Sequence, residues 1–344
     1  MTKVFLTGAS GYIGGEVLHT LAAAHPEYEI AALNRDPKKA DQITRAYPNV
    51  KIVSGSLDDA AILEQEASKA DVVLHLAATG HLSSVESIFK GLTSSQRSGP
   101  AHWLQISGAS LLGAPEIVSK TFGEPSDKIY NDLDGAEEIR AHIRKYKNRV
   151  VDNFILDVSG KASGVKTALV PGAIIYGPGR GPVNQRSIQI PELSRIALQR
   201  GKAVQVGRGL SIWGNVHVQD LSSLFLLLVE KAVAGDSSKS YWNDDGIYFN
   251  SVGNDISFAE ISRRVAQAAV DKGFIKNEEV EQLSAEDADK LSPHASIVLG
   301  TNSRVDSRRA RQVLGWKPVQ RRLQDEIPET LEAEARRLGV TSKA

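Results

Sequence analysis

The stretch Thr7–Gly15, TGASGYIGG, decides the fold. It follows an apolar run, Lys3–Leu6, and precedes a segment with helical spacing, Tyr12–Ala24, so it occupies a strand-to-helix turn. Gly8 permits the tight turn out of the strand, and Gly11 lets backbone approach a pyrophosphate. Gly14 lets the helix pack on the sheet. The N–H groups at the helix start then meet the phosphates with favourable dipole. Three glycines alone are a weak signal. Between a strand and a helix they predict a dinucleotide site built from Gly8, Ser10, Gly11, Tyr12, Ile13 and Gly14.

Working outward, short β-branched runs alternate with helical stretches, the pattern of a parallel sheet covered by helices on both faces. Strands are predicted at Glu29–Leu33, Val50–Val53, Asp71–Ala77, Trp103–Ser107 and Lys166–Val170, with helices at Pro37–Ala46 and Ala60–Ser68. A single long helix is predicted over Glu137–Ser159, a candidate homodimer surface. The fold class is α/β: a Rossmann, doubly wound parallel sheet (residues 1–175) with a smaller C-terminal α/β substrate lobe (176–344). Segments near 210–255, around Val216 and Tyr248, are expected to return to the sheet. The polar segment Asn277–Ser296 reads as helix with exposed loops.

The end of the second strand chooses the cofactor. An acid there would accept bonds from a ribose 2′-OH. The sequence instead has Asn34 and Arg35, with Lys38 and Lys39 close behind. A guanidinium matches a 2′-phosphate and a second cation supports it, so NADP(H) is favoured. Asp36 is expected to turn toward the following helix. Leu57 and Asp58, after the third strand, are placed at the adenine, with helix capping as the other role open to Asp58. Ala77, Ala78 and Thr79 close the fourth strand where ribose and pyrophosphate need room.

Composition excludes several classes. Lys plus Arg and Asp plus Glu each total 41, so nothing drives binding to nucleic acid or an anionic membrane. Without cysteines there is no disulfide, thiolate metal site or cysteine nucleophile. The histidines show no metal-ligand spacing, and no metal is predicted. No signal segment precedes the first strand and no apolar run reaches the roughly 20 residues of a bilayer span, so the expected location is cytoplasmic.

Taken together, TGASGYIGG, LNRDP, SLDD, HLAA, VPGAIIYGPG, VHVQDLSS and LGWKP resemble, in order and along the whole chain, the extended short-chain dehydrogenase/reductase family, the epimerase and dehydratase group. The resemblance implies that Ser107, Pro171, Gly172 and Ile174 line the nicotinamide end. It also implies a Ser or Thr after the fifth strand and a tyrosine and lysine spaced Y-x-x-x-K on a helix. Here the sequence departs. Counting back from Gly113 puts the hydroxyl position on Gly108, between Ser107 and Ser110, and neither Tyr130 nor Tyr146 has a lysine four residues on.

Three readings follow. One is hydride transfer with a rearranged donor, with Tyr176, Ser110, Tyr146 and His217 as candidates. A second is isomerisation or dehydration around bound NADP(H), with His81, Tyr176 or His217 handling protons. The third is a non-catalytic NADP(H) sensor similar to NmrA-like regulators. His81, Arg186, Gln189 and Trp213 are placed at the cofactor mouth, suiting a small, partly aromatic substrate. Oligomeric state is left between monomer and homodimer.

Overall fold

The computed structural model describes residues 1–94, 99–159, 161, 164–236 and 238–342. The chain opens as an alternation: β1 (Lys3–Thr7), α1 (Tyr12–Ala24), β2 (Glu29–Asn34), α2 (Pro37–Ala46), β3 (Lys51–Ser54), α3 (Ala60–Lys69), β4 (Val72–His75), α4 (Leu82–Ser94) and β5 (Ala101–Gly108). It continues through α5 (Ala114–Ser119), β6 (Tyr130–Asn131), α6 (Ala136–Lys145) and α7 (Val150–Ser159) to β7 (Val165–Gly172). Six strands form one parallel sheet in the order β3-β2-β1-β4-β5-β7. β5 and β7 pair in register from Ala101 opposite Val165 to Gly108 opposite Gly172.

The remaining elements are β8 (Ile174–Tyr176), α8 (Gln189–Arg200), β9 (Ala203–Val206), β10 (Asn215–His217), α9 (Val218–Val233), α10 (Phe258–Asp271) and β11 (Val280–Leu283). They end with α11 (Ala285–Leu291), α12 (Ala295–Gly300), β12 (Val305–Asp306), α13 (Arg308–Val313) and α14 (Leu323–Leu338). Alternate residues of each sheet strand serve opposite layers, as the pleat requires. Val4 and Leu6 pack with Leu18 and Leu21 of α1 and Leu224 and Phe225 of α9. Phe5 and Trp103 face the other way, onto Leu63, Val85, Ile88 and Ile155. A third core gathers Ile190, Leu193, Phe258, Ile261 and Leu331 from the C-terminal helices. Among the described residues no helix is long and apolar enough to cross a membrane.

Three expectations need correction. The long helix over Glu137–Ser159 is two helices, α6 and α7, separated at Tyr146–Arg149. Asn153 Nδ2 lies 3.3, 3.2 and 3.0 Å from the carbonyls of Ile143, Tyr146 and Arg149, so one side chain on α7 braces the turn that ends α6. Near Tyr248 the return to the sheet is a single bridge, Ile247 to Leu169, and Val216 pairs instead with Ile175 of β8 in a separate two-stranded sheet. Beyond the Leu169 bridge, Pro171 has no N–H to give, and the Asn250 amide bonds Pro171 O and Ala173 N at 2.9 and 3.1 Å instead. Within Asn277–Ser296, Val280–Leu283 is a strand, paired in parallel with β9.

Candidate functional site

At the C-terminal edge of β1 to β4 lies a cleft of about 510 Å³, lined by Gly8, Ser10, Gly11, Asn34, Arg35, Lys39, Leu57, Asp58, Ala77 and His81 together with Thr7, Leu33, Asp36, Gly55, Ser56 and Leu76. The turn into α1 shows why glycine is needed. Gly8 has φ +87°, and a Cβ there would lie 2.8 Å from the backbone of Leu76 and Ala77. A Cβ on Gly14 would lie 2.2 Å from Gly8 O. Gly11 caps α1 without any side-chain bond, so the first N–H groups of the helix face the cleft unengaged by a side chain. Asn34 Nδ2 is buried with no partner. An uncapped helix start, a backbone cradle without Cβ atoms and a spare amide donor fit the phosphates and ribose of a dinucleotide.

Arg35 and Lys39 are exposed at the rim. Asp36 is turned away, its carboxylate accepting from Lys38 N at 2.9 Å and Lys39 N at 3.4 Å as the N-cap of α2. Asp58 does not cap α3; that position belongs to Asp59, whose carboxylate accepts from Ser56 N at 2.6 Å. Asp58 stands 83% exposed, 3.1 Å from His81 Nε2. The cleft floor is held by His75 of β4, fully buried between β1 and α4. Ser84 Oγ donates to His81 O at 2.8 Å, so it accepts from His75 Nε2–H at 3.2 Å. Nδ1 then accepts the Thr7 hydroxyl at 2.7 Å. Burial pushes the His75 imidazole down to about 3, so it stays neutral.

The nicotinamide end implied by the resemblance falls where β5 and β7 finish, at Ser107, Gly108, Pro171 and Gly172. Ala78 lies at its edge, its carbonyl accepting from Gln105 Nε2 at 3.2 Å, and Thr79 is exposed beyond it. Ile174 is buried in the core of the C-terminal lobe. Ser107 donates at 2.6 Å to Asp152, a fully buried carboxylate of α7. Arg149 closes this cluster. Its Nε lies 2.6 Å from Asp152 Oδ2, and its Nη2 lies 3.1 Å from Ser107 Oγ and 3.3 Å from Gly108 O. Burial raises the Asp152 carboxyl, while Arg149 and the Ser107 hydroxyl pull it down. Ser110 lies in the short helical turn after β5, partly exposed. Its Oγ is 3.3 Å from where a Cβ on Gly108 would stand.

The other sequence candidates lie elsewhere. Tyr176 is 1% exposed and its hydroxyl donates to Arg321 O at 2.9 Å, so it packs inside the C-terminal lobe instead of opening onto the strand ends. Burial first, then Asp220 and Glu326, raise that phenol. His217 stacks edge-on against Tyr176 at 5.5 Å and caps α9 by accepting from Gln219 N at 3.2 Å. Burial holds it near 4, hence neutral. Trp213 Nε1 donates to Thr301 O at 2.7 Å and Gln189 Nε2 to Val298 O at 2.8 Å; both are buried and neither reaches the cleft. Arg186 is paired with Glu334 and Glu192 at 2.6 and 2.7 Å. Tyr146 ends α6 with its ring 5.1 Å from that of His142.

Tyr12 and Ile13 contribute backbone at the start of α1, and Tyr12 OH donates to Gly177 O at 2.5 Å. Next to it Glu16, fully buried, accepts from Arg180 N at 2.6 Å and Nε at 2.8 Å. Sequence reasoning missed Asp152 altogether. Its signal was an acid embedded among Val151, Ile155, Leu156 and Val158, on the buried face of a helix where an unpaired carboxylate is costly.

Over 98% of its length the chain is 37% identical to a protein named oxidase ucsJ from Acremonium sp, 99% of which is matched. Two solved structures share the fold at 15% identity, each covering 98% of this chain and 97% of the other: PbgP3 from Burkholderia pseudomallei, TM-score 0.70, and DesIV, a dTDP-glucose 4,6-dehydratase from Streptomyces venezuelae determined with NAD and TYD bound, TM-score 0.68. Residues 4–242 match the pattern of one family, and the chain belongs to it: the NAD dependent epimerase/dehydratase family.

Proposed function

We propose that this protein is an NADP(H)-dependent oxidoreductase acting on a small organic substrate at the C-terminal ends of β4, β5 and β7. The observation that carries the cofactor choice is the cleft rim. Arg35 and Lys39 stand there without an ion-pair partner among the described residues, and the acid next to Arg35, Asp36, is engaged in capping α2, while Asp58 lies across the cleft beside His81. A 2′-phosphate would meet two free cations, whereas a 2′-OH would find no carboxylate positioned by the second strand.

Bound at this site, the dinucleotide would supply or accept hydride. The chain's own part is positioning and proton handling. Gly8, Gly11 and the start of α1 hold the pyrophosphate, and Asn34 offers its free amide to the adenosine side. Ser110 is the favoured proton carrier. Its hydroxyl has no protein partner among the described residues and lies 3.3 Å from where a Cβ on Gly108 would stand. Tyr176 loses that role because its hydroxyl is committed to Arg321 O.

The test is NADPH consumption with product analysis, on ligands chosen by thermal stabilisation from small ketones, enones and phenolics. Ser110→Ala should lower turnover by roughly 10²–10⁴-fold, the worth of a positioned acid. Turnover indifferent to Ser110→Ala would remove Ser110 from the mechanism. Turnover without NADPH consumption would favour isomerisation or dehydration. The second reading, a non-catalytic sensor, draws on the engagement of both the Ser107 and Tyr176 hydroxyls inside the protein. It requires no turnover, with NADP⁺ and NADPH bound at clearly different affinities.

A further inference from the structure

Arg149 is anchored at the end of β5, and its anchoring is asymmetric. Nε and Nη2 are taken by Asp152, Ser107 and Gly108 O, while Nη1 has no partner among the described residues. The side chain is 19% exposed, against a carboxylate partner that is not exposed at all. The guanidinium is therefore fixed at Nε and Nη2, and only its Nη1 amino group is left unengaged among the described residues. It touches Gly108, which with Gly172 opposite presents no side chain at the strand ends, and Ser110 flanks the same residue.

A planar fork held by a buried carboxylate and a hydroxyl is preorganised, because its rotamer entropy is already spent before a ligand arrives. Its unengaged Nη1 amino group can donate to an oxygen of a carboxylate or to the oxygen of an ionised enol or phenol. A neutral carbonyl oxygen would also accept from it, but without the attraction between opposite charges that an anion adds. Asn153, four residues on, is committed to the turn that ends α6 and does not share this role.

The geometry points to Arg149 as the substrate-recognition residue of this site, and to a substrate that carries an oxyanion, a carboxylate or an ionised enol, beside the reacting carbon. This rests on reading the β5–β7 end as the reaction site, and the experiment separates the two claims. Titration calorimetry with NADPH alone reports on the dinucleotide reading. Benzoate and its neutral isostere benzamide, each titrated into the protein with and without NADPH, report on Arg149.

Benzoate should bind at least about tenfold more tightly than benzamide, the low end for a charge-assisted hydrogen bond. Arg149→Met should erase that preference. Arg149→Lys, which keeps the charge but loses the fork, should retain part of it and guards against a folding artefact. Guanidinium ion added to Arg149→Ala should restore the preference for benzoate over benzamide. Equal affinity for the two probes, no benzoate binding by the wild type, or a preference unchanged in Arg149→Met would overturn the assignment.

Discussion

The buried imidazole of His75 makes a quantitative prediction about acid stability. It is neutral in the folded protein, held near 3 by burial, whereas in the unfolded chain it titrates near its ordinary 6.5. The folded value is the lower one, so the unfolded state binds the extra proton. The stability that His75 contributes is fully present above 6.5 and is lost as pH falls from there toward 3. The loss rate is about 1.4 kcal/mol per pH unit, or roughly 2.7 kcal/mol between pH 6.5 and 4.5. His75→Gln removes the titration and leaves an amide to answer Thr7 and Ser84, so it isolates this contribution from every other ionisable group. Its hydrogen bonds will be imperfect, and a pH-independent cost of about 1–3 kcal/mol is expected from them. Urea unfolding of both proteins, followed by tryptophan fluorescence from pH 7.5 to 4.5, gives the difference directly. The gap should be widest at neutral pH and shrink, or invert, on acidification. A gap constant to within about 0.5 kcal/mol over that range would refute the claim that His75 is held neutral between β1 and α4.

Arg35→Ala should weaken NADPH binding about 10–100-fold while leaving NADH nearly unchanged, as read by calorimetry, because only the phosphate contact is lost. Gly8→Ala should lower the melting temperature and abolish dinucleotide binding: an alanine at φ +87° with its Cβ 2.8 Å from Leu76 costs on the order of 1–3 kcal/mol in backbone strain before any clash is counted. Asp152→Ala strands the Arg149 guanidinium and the Ser107 hydroxyl, and denaturant titration should record a loss of roughly 3 kcal/mol. Tyr176→Phe removes one hydrogen bond to Arg321 O, about 1 kcal/mol of stability, and should leave NADPH affinity intact. A large loss of NADPH affinity in Tyr176→Phe would place that hydroxyl back at the site.

The sheet was legible because its signals are local and periodic. Runs such as VFLT and VVLH are buried on both faces, and a strand of that kind has few alternatives. The phosphate turn was legible for a different reason: only glycine tolerates the conformation and the close approach at Gly8 and Gly14. What stayed hidden depends on where individual side chains end. The break between α6 and α7 carries no proline or glycine, and the Asn153 amide that braces it is a contact that composition does not record. Trp213, Gln189 and His217 have the chemistry of a binding site and the sequence neighbours of a loop, yet each spends its polar atom on backbone within its own lobe. Arg149 lies three residues past Tyr146, which is not the position of a lysine in a tyrosine–lysine pair. Arg149 and Asp152 are a local pair, but both meet Ser107, 42 and 45 positions away, beyond the reach of any local pattern.

The buried clamp between Glu16 and the segment after β8 has a consequence for anyone who would recombine this protein with its relatives. Glu16 lies in the helix that begins at the phosphate turn, yet it accepts from Arg180, and Gly15 sits so close to Gly181 that a Cβ on it would be 3.2 Å from the neighbouring Cα. Tyr12 is tied in the same way to Gly177. A chimera cut between the sixth sheet strand and the C-terminal lobe would separate residues that were fitted to one another across that seam. It would inherit a buried carboxylate without its guanidinium, or a side chain where two glycines once let the chains touch. Residues 12–20 and 177–185 form one unit of exchange although more than 150 positions separate them. A crossover that respects the fold has to carry both.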